Sequence, residues 1–199
     1  TMIITLASFK GGVGKTTSAI HFATYLQQSD STLLVDGDPN HSALTWARHG
    51  KLPFKVVDER VAARYAREYK HLVFDLKARP EEDDLKAMVE GCDLLIIPSK
   101  PDPLSVDALL LTINMLRTIG AEQYRILLTI APPRPITDAE RAHEALESAG
   151  YPVLKTIIRR TKAFEDAAAQ GIPVNLVTGN PLAKEAWNDY VNAAKELGL

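Results

Sequence analysis

Cys92 is the only cysteine among 199 residues. No disulfide can form within the chain, and zinc ribbons or cysteine-held clusters built inside one chain are excluded. Surplus positive charge is missing too. The 23 Lys and Arg face 25 Asp and Glu, a net of −2, which rules out a globally basic nucleic-acid coat though not a local basic patch. Long apolar runs are absent. Residues 2–7 are apolar, but Lys10 and glycines at 11, 12 and 14 follow, and the run is too short to span a bilayer. We expect a cytoplasmic chain with no targeting segment, Thr1 ahead of Met2 being a vector-derived residue. The histidines show no metal-ligand spacing. No repeat, low-complexity tract or Pro/Ser linker interrupts the chain, so a single domain over 1–199 is expected.

The composition is that of a globular protein, 46% hydrophobic and 24% charged. At this length folding buries roughly 70% of the surface of the unfolded chain, enough for a core without staples. Apolar runs alternate with stretches of helical period, the pattern of an α/β fold with a mostly parallel twisted sheet flanked by helices. Strands are expected at Met2–Ser8, Thr32–Asp36, Phe54–Val57, His71–Asp75, Asp93–Pro98, Tyr124–Ile130 and Pro152–Ile157. Near the end, Ala183, Trp187, Tyr190, Ala194 and Leu197 recur every three or four residues and read as the core face of a helix.

The stretch most informative about function is Ser8-Phe-Lys-Gly-Gly-Val-Gly-Lys-Thr-Thr17, between the first apolar run and a helix from about Thr16 to Gln28. Its glycines let backbone N–H groups of Gly11, Gly12, Val13 and Gly14 turn inward as an anion nest at a helix N-terminus, whose dipole also favours phosphate. Lys15 is placed to reach the β- and γ-phosphates of a nucleotide, the Thr16 hydroxyl to bind Mg²⁺, and Thr17 to add an α-phosphate contact. The common G-x-x-x-x-G-K-[ST] spacing is broken, because Phe9 stands five positions before Gly14. Phosphoryl transfer still needs a cation on the γ-phosphate oxygens, and Lys10 is the natural candidate.

Lys-Gly-Gly-Val-Gly-Lys-Thr with its second lysine resembles the deviant Walker A box of the ParA/MinD ATPases. The resemblance covers nearly the whole chain. Leu33-Leu-Val-Asp-Gly-Asp-Pro-Asn40 puts two carboxylates after a strand, where ligands sit in open α/β sheets; the resemblance assigns Asp38 to orienting the attacking water near Mg²⁺, while Asp36 is open to a turn role. His71-Leu-Val-Phe-Asp75 resembles a Walker B strand and makes Asp75 the candidate second-shell Mg²⁺ residue. Where the family often continues with threonine and prolines, this chain reads Leu76-Lys-Ala-Arg-Pro80. Cys92–Pro101, the Arg159–Asp166 segment and the Gly171–Val174 turn resemble later family segments. Thr129 lies near a position where many relatives carry an adenine-reading asparagine, so ATP is implied by the resemblance.

In such proteins the lysine matching Lys10 crosses a two-fold interface, so that two chains sandwich two ATP molecules. The resemblance thus implies a Mg²⁺-dependent ATPase that forms a homodimer with ATP, binds DNA without sequence preference, associates with the nucleoid, and positions a plasmid or a protein body such as the carboxysome. A small adaptor or cargo protein would stimulate hydrolysis. A membrane-associated MinD-like switch would want a basic amphipathic C-terminal helix, which the residue pattern lacks. An iron-protein reductase needs two cysteines per chain and is excluded; a P-loop ligase stays open. Between Tyr151 and Gln170, Lys155, Arg159, Arg160 and Lys162 outnumber Glu165 and Asp166. Arg159, Arg160 and Lys162 are therefore the expected DNA contacts.

Overall fold

The computed structural model describes residues 1–79, 81–132 and 137–199, so Pro80 lies outside the described residues. Six strands, β1 (Met2–Ser8), β2 (Thr32–Gly37), β3 (Lys55–Asp58), β4 (His71–Ala78), β5 (Leu94–Ser99) and β6 (Tyr124–Leu128), form one all-parallel sheet in the order β3-β2-β4-β1-β5-β6. The helices are α1 (Lys15–Gln27), α2 (Ser42–His49), α3 (Ala62–Tyr65), α4 (Glu82–Gly91), α5 (Pro103–Thr118), α6 (Thr137–Ser148), α7 (Lys162–Gln170) and α8 (Ala183–Glu196). Among the described residues, no helix is long and apolar enough to cross a membrane.

Alternation along the strands sorts the core into two layers. Ile4, Leu6, Leu34, Ile96 and Leu127 pack under α1, α2, α7 and α8. Ala7, Leu95, Ile97, Ile126 and Leu128 face the opposite way, against α4, α5 and α6. Beyond them Leu33, Val35 and Val57 are covered by Ala62, Tyr65 and Tyr69. Of the α8 stripe, Ala183, Tyr190 and Ala194 are buried, with Trp187 and Leu197 packed against the same cluster.

The seventh expected strand, Pro152–Ile157, does not join the sheet as a ladder. It meets β6 through one isolated parallel bridge, Ile126 to Val153, and a second bridge, Ala131 to Arg159, follows beyond both segments. Pro152 has no N–H to give. The N–H groups of Lys155 and Thr156 donate instead to the Glu196 carboxylate, at 2.7 and 3.0 Å. A second difference is that β4 continues past Asp75 to Ala78, paired with Gly37 and Ser8 across a register shift in β1. Asp75 therefore sits inside a strand and is fully buried.

His21 stitches α1 to the opposite end of the chain. Its ring lies 4.8 Å from Tyr190 in a stack and meets Phe164 edge-on. Nδ1 is 2.6 Å from the Thr17 carbonyl, and Nε2 accepts the Val174 N–H at 3.1 Å, a pair of bonds that requires the neutral ring protonated at Nδ1. Burial pushes its pKa from 6.5 down to about 4, the Thr17 bond opposing the fall only in part. Protonation thus favours the unfolded chain. The resulting stability is whole above pH 6.5 and is lost as the pH falls toward 4, on the order of 3 kcal/mol in all. Urea titrations across that range should show this slope in the parent protein and a shallower one in His21→Gln, which cannot titrate; equal slopes would contradict the assignment.

Candidate nucleotide-binding site

The sheet order puts β1 beside β4 and β4 beside β2, so the segments at their carboxyl ends converge. The loop after β1 turns on Gly12 and Gly14, whose φ angles of +71° and +78° lie in the left-handed region that favours glycine. Gly14 is the N-cap of α1, with no side chain capping it and no acidic residue in the first turn. The positive end of α1 therefore faces the loop without an internal counter-charge. The Thr129 hydroxyl, buried at the end of β6, is 2.7 Å from the Val13 carbonyl and 3.2 Å from that of Ser99, propping the loop from below.

Lys15 is nearly buried, with Nζ 2.9 Å from Asp75 Oδ1 and 3.6 Å from Asp38 Oδ2. Thr16 donates its hydroxyl to Asp75 Oδ2 at 2.6 Å. Burial drives the Asp75 carboxyl above the ordinary carboxylate range, and the Lys15 ammonium with the Thr16 hydroxyl restrains the rise. The four residues expected from three separate motifs, Lys15, Thr16, Asp38 and Asp75, are thus one cluster. Asp36 stands apart in role: its carboxylate accepts the N–H groups of Asp38 and Leu44 at 3.0 and 2.9 Å, fixing the loop between β2 and α2. Asp38 Oδ1 accepts from Asn40, leaving Oδ2 toward Lys15.

Lys10 points elsewhere. Its Nζ lies 3.0 Å from Ser105 Oγ and 3.5 Å from Asp102 Oδ1, at the N-terminus of α5. Asp102 caps that helix through the Ser105 N–H. Burial would raise the Asp102 carboxyl, but the Ser105 bonds and the Lys10 and Lys100 ammonium groups hold it below its usual range.

Beside Thr17 opens a cavity of about 250 Å³, lined by Gly14, Thr129, Ile130, Arg160, Phe164 and Tyr190 among others. Its aromatic lining comes from Trp46 on α2, Phe164 on α7 and Tyr190 on α8, and motif reading missed it. The expected DNA contact Arg159 lies against acidic neighbours. Its guanidinium binds both Asp189 oxygens at 3.0 and 2.9 Å and Glu185 at 2.9 Å, so its charge is neutralised on α8. The Asp189 hydrogen bond leads the effects that raise its pKa. Arg160 and Lys162 are exposed.

A phosphate nest after the first strand, followed by a lysine, a threonine and carboxylates from the two neighbouring strand ends, defines a P-loop nucleoside triphosphatase. The profile of the CobQ/CobB/MinD/ParA nucleotide binding domain matches residues 4–174, and the chain belongs to that family as an ATPase of the ParA/MinD type. The chain is 34% identical over 202 aligned residues to the maintenance of carboxysome distribution protein A of Gloeobacter kilaueensis, covering 98% of this chain and 93% of the relative. The protein of that name from Halothiobacillus neapolitanus is 29% identical over 86% of this chain and 85% of its own. A solved Cyanothece McdA–ATP complex shares the fold, with a TM-score of 0.76 at 15% identity, over 100% of this chain and 96% of that one.

Asp36 and Asp38 should separate cleanly. Asp36→Ala removes a charged acceptor from two backbone donors and should cost about 2–3 kcal/mol of unfolding free energy, whereas Asp38→Ala should cost less than about 1 kcal/mol. Chemical denaturation of both variants checks this; equal losses would contradict the division of roles.

Proposed function

We propose that this ATPase is a dimeric switch in which ATP binding joins two chains, the joined form binds DNA without sequence preference, and hydrolysis stimulated by a partner protein releases it. The observation that carries the reading is the divergence of two lysines from one loop, Lys15 into the carboxylate cluster and Lys10 out onto the N-terminus of α5. Lys15 and the inward N–H groups of residues 11–17 would hold the β- and γ-phosphates. Asp38 would orient the attacking water, its Oδ2 already facing the same cluster. The cavity beside Thr17 would take the nucleoside.

The site fits magnesium. Thr16 gives its only hydroxyl proton to Asp75, which leaves the oxygen lone pairs outward for a cation while Asp75 stays behind it as orienting acceptor. Mg²⁺ held largely by substrate phosphates needs few protein ligands. Bound there, it would neutralise developing phosphate charge.

Lys10 would act across the interface on the partner's nucleotide, so contacts present only in the ATP dimer couple nucleotide state to assembly. The names of the relatives favour a carboxysome as the positioned cargo, with a plasmid as the second reading.

Lys10→Ala should bind ATP nearly as the parent does and yet fail to double its mass by light scattering with ATP and Mg²⁺. Asp38→Ala should dimerise normally while turnover falls by at least about a hundredfold. A normal dimer in Lys10→Ala, or parental turnover in Asp38→Ala, would overturn these roles.

A further inference from the structure

Building on the reading that the ATP form binds DNA, we propose that its phosphate-contacting surface is a basic stripe at the β3 edge of the sheet, made by Lys55, Arg64, Arg67 and Lys70. Residues 59–68 run almost continuously helical, as a 3₁₀ turn (Glu59–Val61), α3 and a second 3₁₀ turn (Ala66–Glu68). Arg60, Arg64 and Arg67 recur at a spacing that keeps them on one side of such a stretch. Ala62, Tyr65 and Tyr69 pack inward on Leu33, Val35 and Val57, which turns the arginines to solvent.

Charge accumulates here against the trend of the chain. Residues 51–70 carry six Lys and Arg against Asp58, Glu59 and Glu68, a local +3 in a protein of net −2. Arg60 is spent, its guanidinium binding both Asp58 oxygens at 2.8 and 2.7 Å. Lys55, Arg64, Arg67 and Lys70 are exposed, and among the described residues no carboxylate lies within 4.0 Å of their charged groups. Tyr65 gathers two of these cations, Lys55 Nζ lying 3.5 Å and the Arg64 guanidinium carbon 5.6 Å from its ring centroid. Phosphate contacts need cations not already neutralised, and Arg159, held by Asp189 and Glu185, is the opposite case.

Location supports the assignment. Lys55 opens β3 and Lys70 immediately precedes β4, at the sheet end opposite the phosphate loop, so nucleotide and stripe do not compete for the same cations. A duplex backbone fits this surface better than a bilayer does. Val61, 45% exposed, is the one large exposed hydrophobic residue of the stretch, whereas interfacial helices bury an apolar face in lipid.

The test is fluorescence anisotropy of a labelled duplex of mixed sequence, with ATP and Mg²⁺, titrated from about 50 to about 200 mM salt. Arg64→Ala combined with Arg67→Ala should weaken binding on the order of tenfold or more and flatten the log-log salt slope by about 1.8, two phosphate contacts' worth, while ATP-driven dimerisation persists. Lys155→Ala with Lys162→Ala, exposed cations outside the nucleoside cavity, should leave the slope near that of the parent. Parental binding in the Arg64/Arg67 variant would overturn the stripe and leave the DNA reading standing. A parent that binds no duplex overturns both, as would stripe-dependent retention on phosphatidylglycerol vesicles without any duplex binding.

Discussion

The ammonium of Lys15 holds the functional end of this molecule together. It lies between Asp75, inside β4, and Asp38, after β2, while its own backbone begins α1 beyond β1. Without it two acidic segments would face each other across a gap of low dielectric, where unpaired charge is costly. The same ammonium is the group a triphosphate would engage. A cation that cross-links the protein's carboxylates can thus exchange one set of oxygens for another, and the loop carrying Asp38 would register the exchange.

That arrangement depends on rigid supports around it. Asp36 ties down the start of the Asp38 loop through two backbone N–H groups. Thr129 braces the phosphate loop at Val13, and His21 fixes the Thr17 carbonyl while bonding to the Val174 N–H. The turns at Gly12 and Gly14 send Lys15 inward, and Lys10 before them reaches α5 instead. Two lysines five positions apart can therefore serve different partners.

Much of this was legible in the sequence because it is local. A glycine-rich loop between an apolar run and a helix implies its own geometry, and Asp38 and Asp75 follow apolar runs whose parallel packing brings their ends together. What escaped depends on residues remote along the chain. Arg159 is neutralised by residues on α8, and Glu196 holds the backbone N–H groups of Lys155 and Thr156 in the expected seventh strand. His21 read as lacking ligand spacing, yet its partners Val174, Phe164 and Tyr190 lie more than a hundred residues away. The free cations between Lys55 and Lys70 were overlooked because net charge counts paired and unpaired groups alike.

The central claim is that Lys15 is the phosphate-binding cation of a preformed site. Isothermal titration of ATP with Mg²⁺ into the parent and into Lys15→Gln, with a thermal melt to establish that the variant is folded, tests it most directly. The account predicts one nucleotide per parent chain and no measurable binding heat for a folded Lys15→Gln. A folded variant that binds ATP with parental affinity would contradict it.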